Sequence, residues 1–118
     1  MDEIKRMQIW YADLPLKEVS CVQGGRRPVV IISNDICNEC NSIVTVAPMT
    51  RQMKRLGLPT HTVIDSQDGG RSLVLAEQIT TIDKSRLDYR MGYVAGCDIE
   101  KVESAIKDQL GMKGEEDE

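Results

Sequence analysis

The spacing of apolar positions changes once along the chain. Up to about residue 94 they alternate or come in short runs; from residue 98 they recur every three to four residues. "MQIWYADL" (7–14) alternates loosely and is rich in strand formers. "PVVIISN" (28–34) is a continuous apolar run, the pattern of a strand buried on both faces. "SIVTVAPMT" (42–50) reads as a third strand interrupted by Pro48 near its end. "THTVID" (60–65) is a short alternating strand, "SLVLAEQITTID" (72–83) a long one with polar Glu77 and Gln78 in its middle, and "YRMGYV" (89–94) a last strand or coil. The connections read as a long polar loop (14–27), a turn (35–41), a basic stretch (51–59), a Gly-Gly turn (66–71) and a helical turn (83–87). In 98–111, Ile99, Val102, Ala105, Ile106 and Leu110 fall on one helical face, with Asp98 as N-cap, Lys107 late and Gly111 as the stop. The order predicts a mainly β fold: a small, strongly bent antiparallel sheet or SH3-like barrel with a C-terminal α-helix. A parallel sheet would need helices between its strands.

The 118 residues suit one domain, expected over 1–114. The formal charge of −4 is carried by Glu115, Glu116, Asp117 and Glu118, an expected solvated, disordered tail, so the body is neutral. It is also patterned: between residues 23 and 55, Arg26, Arg27, Arg51, Lys54 and Arg55 face only Asp35 and Glu39. A local basic patch is what phosphate binding needs, whatever the total charge. The aromatic residues are few, Trp10, Tyr11, Tyr89 and Tyr93, which weakens a reading based on stacking bases over an aromatic platform. With no apolar stretch of membrane-spanning length and no charged-then-apolar leader, a cytoplasmic protein with reduced cysteines and no membrane association is expected.

The stretch "QGGRRP" (23–28) sets two glycines and two arginines against the mouth of the buried run. Glycines allow close backbone approach, and Pro28 suits the first residue of a strand. Arginine at such a junction is a planar, permanently charged fork for a phosphate or carboxylate, or else solubilising charge on a loop. Thr50 ends one apolar strand and Arg27 precedes another. If those strands are antiparallel neighbours, the two residues converge at one sheet edge, where Arg grips a phosphate through two donors and Thr through one. His61, the only histidine, stands in an alternating strand and suits a structural role; a single histidine cannot form a two-histidine acid–base pair. Cys37-Asn-Glu-Cys40 is a CxxC. Zinc would need Cys21 and Cys97 to join it, a redox pair would more usually open a helix after a strand, and ordinary thiols in a turn are the simpler reading. Asp65, Asp68 and Asp83 sit at turns, where Asp is common for local hydrogen bonding.

Taken together, "IWYADL", "QGGRRPVVIISNDICN", "TVAPMT", "LPTHTVID" and "LAEQITTIDKSRL" resemble, in order and spacing, the MazF/PemK toxins of bacterial toxin–antitoxin modules, from about residue 8 to 110. The resemblance implies a PemK/CcdB-type barrel, a homodimer, and an endoribonuclease that cuts single-stranded mRNA without metal or other cofactor. It also implies a labile MazE-like antitoxin whose acidic segment fills the RNA groove. Arg27 and Thr50 match the catalytic pair. Cys21, Gln23, Gly24, Gly25, Arg26, Arg51 and Gln78 match or flank RNA-contacting positions, and the loop 14–26 would act as a lid. Departures from the pattern are Cys21-Val22 where relatives often have Ser-Glu, a second arginine at position 26, and Met7-Gln8 where they have Gly-Asp. The alternatives are an RNA-binding module without turnover, or a gyrase poison of the CcdB type, which would depend on a Trp-Gly-Ile-like helix end; here the helix leads to "GMKGEEDE".

Overall fold

The computed structural model describes residues 3–15, 22–66 and 69–112. Cys21, Asp68, most of the loop between the first two strands and the acidic tail lie outside them. Among the described residues seven strands and two α-helices follow in order: β1 (Gln8–Leu14), β2 (Gly25–Ile31), α1 (Asp35–Cys40), β3 (Ile43–Thr50), β4 (His61–Asp65), β5 (Arg71–Leu75), β6 (Thr80–Asp83), β7 (Leu87–Tyr93) and α2 (Gly96–Gln109). The strands form one sheet in the order β4-β5-β3-β2-β1-β7, with β6 also paired to β3. Every pairing is antiparallel. The mainly β architecture with a C-terminal helix agrees with the sequence pattern.

Two apolar layers share the sheet. Val30 and Ala47 face one layer together with Val102, Ala105 and Ile106 of α2. Val29, Ile31 and Val46 face the other, around Trp10, Ala12 and Leu14. The run in β2 is therefore buried on both faces, as its unbroken apolar character predicts: Val29, Val30 and Ile31 have no solvent exposure. On α2, Leu110 departs from the expected face and is exposed, because the helix ends at Gln109 and Gly111 turns the chain at φ +66°.

Several elements differ from the expectation. The stretch 35–41 is not a turn but α1, capped by Asn34, whose side-chain oxygen accepts from the Cys37 N–H at 2.9 Å. The CxxC thus lies on a short helix after a strand; Cys37, Cys40 and Cys97 are all exposed free thiols. The long strand expected at 72–83 is two strands, broken by a 3-10 turn over Ala76–Gln78. The polar Glu77-Gln78 pair marks the break. Asp98 is not the cap of α2, which is Ala95; it lies in the first turn, where its carboxylate accepts the Asp65 N–H at 3.1 Å and ties the helix to the end of β4. Pro28 is not the first residue of its strand. Beside β1 the strand begins at Gly25, while pairing with β3 begins only at Val29.

Met7, the residue before β1, has a left-handed backbone at φ 70°. The strained residue is held by its own backbone bonds, donating to the Ile31 carbonyl at 2.8 Å and accepting from the Val94 N–H at 2.9 Å. Its side chain is buried in the α2-side layer. Left-handed backbone costs a non-glycine residue about 1–2 kcal/mol, whereas losing a buried Met side chain costs about 2–5 kcal/mol, so burial outweighs strain. The following residue, Gln8, is also buried: its side-chain oxygen accepts from the Trp10 indole N–H and the Lys5 N–H, each at 2.8 Å. Both Met7→Ala and Met7→Gly should destabilise the fold. The glycine variant should be the more stable of the two by about 1 kcal/mol, the reverse of the usual order in regular structure. Urea unfolding of the two variants tests this, and equal or inverted midpoints would mean the strain is not there.

Candidate active site

β2 and β3 are joined by the register Val29–Pro48, Val30–Ala47, Ile31–Val46. Continued two residues further, it sets Arg27 opposite Thr50, where the pairing has ended. Pro28, with no N–H, stands at the point where the strands part. β3 then turns to β5, pairing Met49 with Val74 and Thr50 with Leu73. The gap so created is a depression of about 270 Å³ in which Arg27, Thr50, Arg26, Arg51, Tyr11 and Ser72 come together.

Gly25, at φ 78°, takes the left-handed turn with which the chain enters β2. That turn presents the Gly24 carbonyl to the Arg27 Nε–H at 3.1 Å, while Nη1 donates to the Met49 carbonyl at 3.3 Å. The guanidinium is thus held on two sides by backbone oxygens, and donors remain for a ligand. The Thr50 hydroxyl oxygen accepts the Gln52 N–H at 3.2 Å, which leaves its own proton to donate. Arg26, on the opposite side of the strand, pairs with Asp88 and lies over the Tyr11 ring, 5.8 Å from its centroid. Its charge is shared with a carboxylate, whereas Arg27 has only neutral partners among its hydrogen bonds given above.

A second network supports the entrance. The Gln78 side-chain oxygen accepts the Gln23 N–H at 2.6 Å, so the 3-10 turn anchors the segment that carries Gly24. Its neighbour Glu77 meets His61 Nε2 at 2.5 Å, and His61 Nδ1 meets the Lys54 carbonyl at 2.9 Å. A carbonyl oxygen only accepts, so Nδ1–H donates to Lys54 and the ring is held between two segments. Burial would raise the Glu77 carboxyl; the His61 hydrogen bond, with smaller contributions from its own backbone, Thr60 and the charge on His61, outweighs it and holds the group below its usual 4.5. His61 has the structural role expected of it, and its side chain is nearly inaccessible at 2 %.

Of the residues singled out in the sequence, Arg26, Arg27, Thr50 and Arg51 line one depression. Gln23 and Gln78 line a smaller neighbouring one beside Pro48. Gly24 and Gly25 act through backbone, and Cys21 lies outside the described residues. Sequence reasoning did not find Tyr11 and Ser72 at the site, nor Glu77 as the partner of His61. No local signal marks them, because each arrives through strand pairing. Among the described residues no group of three His, Cys, Asp or Glu side chains is arranged to hold a metal ion, and no helix is long and apolar enough to cross a membrane.

The split edge of the bent antiparallel sheet thus brings an arginine and a threonine together in one depression. Residues 5–110 match the family of PemK-like, MazF-like toxins of type II toxin–antitoxin systems, and the chain belongs to that family. It is 38 % identical over 112 residues to the endoribonuclease EndoA of Bacillus subtilis, covering 92 % of this chain and 96 % of that one. The fold matches a mycobacterial endoribonuclease solved in complex with its cognate antitoxin, at TM-score 0.78 and 24 % identity over 94 % of this chain and 98 % of the other. It also matches MazF from Deinococcus radiodurans, at TM-score 0.79 and 21 % identity over 95 % and 100 %.

The lowered Glu77 carboxyl fixes the sign of a pH effect. A carboxylate whose folded value lies below its unfolded one adds stability that is present above about 4.5 and lost as pH falls through the folded value. Wild type should therefore be more stable than Glu77→Gln at neutral pH, and the two midpoints should converge below pH 4.5. Thermal unfolding at pH 7 and in acid measures it; a constant gap would remove Glu77 from the linkage.

Proposed function

We propose that this endoribonuclease toxin cuts single-stranded RNA at a short sequence, without a metal ion, by attack of a ribose 2′-OH on its own 3′-phosphodiester. The O2′–P bond forms and the P–O5′ bond breaks. The 2′-OH proton is lost and O5′ gains one, leaving a 2′,3′-cyclic phosphate and a 5′-OH end. The nucleophile belongs to the substrate, so the protein must supply geometry and charge stabilisation.

The observation that carries this reading is the juxtaposition of the Arg27 guanidinium, oriented by the Gly24 and Met49 carbonyls, with the Thr50 hydroxyl across the split in the sheet. Arg27 acts as a cation and donor to the phosphorane oxygens, because a guanidinium holds its proton too firmly to serve as a base. Thr50 donates to a non-bridging oxygen and sets the phosphate in line. Gln23, Gly24, Gly25, Arg26, Arg51 and Gln78 form the walls along which the strand runs, and Cys21 belongs to the same loop. The surplus of cations there also suits an antitoxin segment of acidic character, and the mycobacterial neighbour was solved in complex with its cognate antitoxin. The working unit is a homodimer in the cytoplasm, where mRNA is found.

Removal of a preorganised donor to a developing charge commonly costs about 10²–10³ in rate. Arg27→Ala should lose at least that much cleavage of a long single-stranded RNA assayed in EDTA, with its unfolding midpoint close to wild type. A 2′-deoxy nucleotide at the cut should abolish cleavage there. Wild-type activity in a folded Arg27→Ala protein would reject the assignment, and loss of wild-type cleavage in EDTA would reject metal independence. Light scattering should give a mass twice the 13.2 kDa of one chain.

A further inference from the structure

The groove does not end at Arg27 and Thr50. Past Pro28 and Met49 it opens into a second depression of about 330 Å³, floored by Ile9, Pro28, Met49 and Met91 and bounded by Tyr89 and Arg90. Pro28, Met49, Arg51 and Ser72 line both depressions, so the two are continuous. Tyr89 of β7 is the register partner of Tyr11 of β1, and their rings stack with centroids 5.4 Å apart and planes 25° from parallel. The Arg26 guanidinium lies over Tyr11 in turn. Tyr89 itself is 55 % exposed. One aromatic ring is thus held in place by its neighbour while much of it faces solvent, at the edge of an apolar hollow next to the phosphate-gripping pair.

We propose that this second depression is a nucleobase subsite, in which a base flanking the scissile phosphate stacks on Tyr89 above the apolar floor. The proposal rests on the reading of Arg27 and Thr50 as the phosphate site. A phosphate alone gains nothing from a floor of proline, isoleucine and methionine, and a wholly apolar ligand gains nothing from the arginines. A flat, uncharged ring attached to a phosphate uses both. The Tyr11 stack fixes the Tyr89 ring beforehand, so little ordering is needed when the base arrives. Stacking grows with ring area, so the subsite favours a purine. The tyrosines are few, as the sequence shows, but antiparallel pairing of β1 with β7 brings Tyr11 and Tyr89 together at the groove. They make a single stacking position and not an extended platform.

Cleavage of a random-sequence single-stranded RNA pool, with the cut sites sequenced, tests this for wild type, Tyr89→Phe and Tyr89→Ala. Wild type should show a purine preference at one position flanking the cut. Tyr89→Phe should retain it. Tyr89→Ala should flatten it by about tenfold or more while preferences at the other positions persist, since base–aromatic stacking commonly contributes tenfold to a hundredfold. An unchanged profile in a folded Tyr89→Ala protein overturns the subsite, as does a uniform loss at all positions, which would mark Tyr89 as structural. If wild type fails to cut, enrichment of bound RNA from the same pool decides separately. A purine preference that disappears with Tyr89→Ala keeps the subsite and rejects the nuclease; no enrichment rejects both. Unchanged RNA preference with weakened binding of an acidic antitoxin peptide would reassign the hollow to protein recognition.

Discussion

Val29, Val30 and Ile31 are consecutive and fully buried, and their side chains alternate between two separate cores. A slip of one residue in β2 would send each of them into the wrong layer and swap Arg26 with Arg27. The two layers therefore fix the register of this strand far more firmly than its hydrogen bonds do. Everything at the site follows from that register: Arg27 falls opposite Thr50, Arg26 turns towards Asp88 and Tyr11, and Pro28 stands where the sheet divides. The position of Arg27 is set by the three buried residues that follow Pro28.

The groove is an opening left by the sheet. β3 pairs with β2 as far as Pro48 and then with β5, and the proline in each strand suits a place where ladder bonds end. Beside this parting of the strands, the carbonyls of Gly24 and Met49 accept from the Arg27 side chain. The same two bonds orient the Arg27 guanidinium. The resulting position suits electrostatic stabilisation, because the donors are set before a substrate arrives and little reorganisation is left to the reaction.

The 3-10 turn over Ala76–Gln78 extends this support outwards. His61, buried in β4, links the basic segment at Lys54 to Glu77, and the adjacent Gln78 holds Gln23 at the approach to β2. Neither His61 nor Glu77 needs to touch a ligand to matter. One histidine, too few for a paired acid–base mechanism, here joins two loop segments at the rim.

The alternation of β1, the apolar run of β2 and the three- to four-residue spacing of α2 determined the architecture directly, because strand and helix periods are local properties of the chain. The pairing of Arg27 with Thr50 was also legible, since each borders a recognisable strand and antiparallel neighbours bring such ends together. What was not legible depends on partners far apart in sequence. The CxxC stretch is helical because Asn34 caps it, and 72–83 breaks because Glu77 and Gln78 turn to His61 and Gln23. Met7 tolerates a left-handed backbone because its side chain is buried and its backbone groups are bonded on both sides. Tyr89 reaches the groove only because β7 pairs with β1. Period and composition record what each residue prefers; the closing of the sheet selects which distant residues become neighbours, and the stacked tyrosines and the His61–Glu77 link are products of that closure.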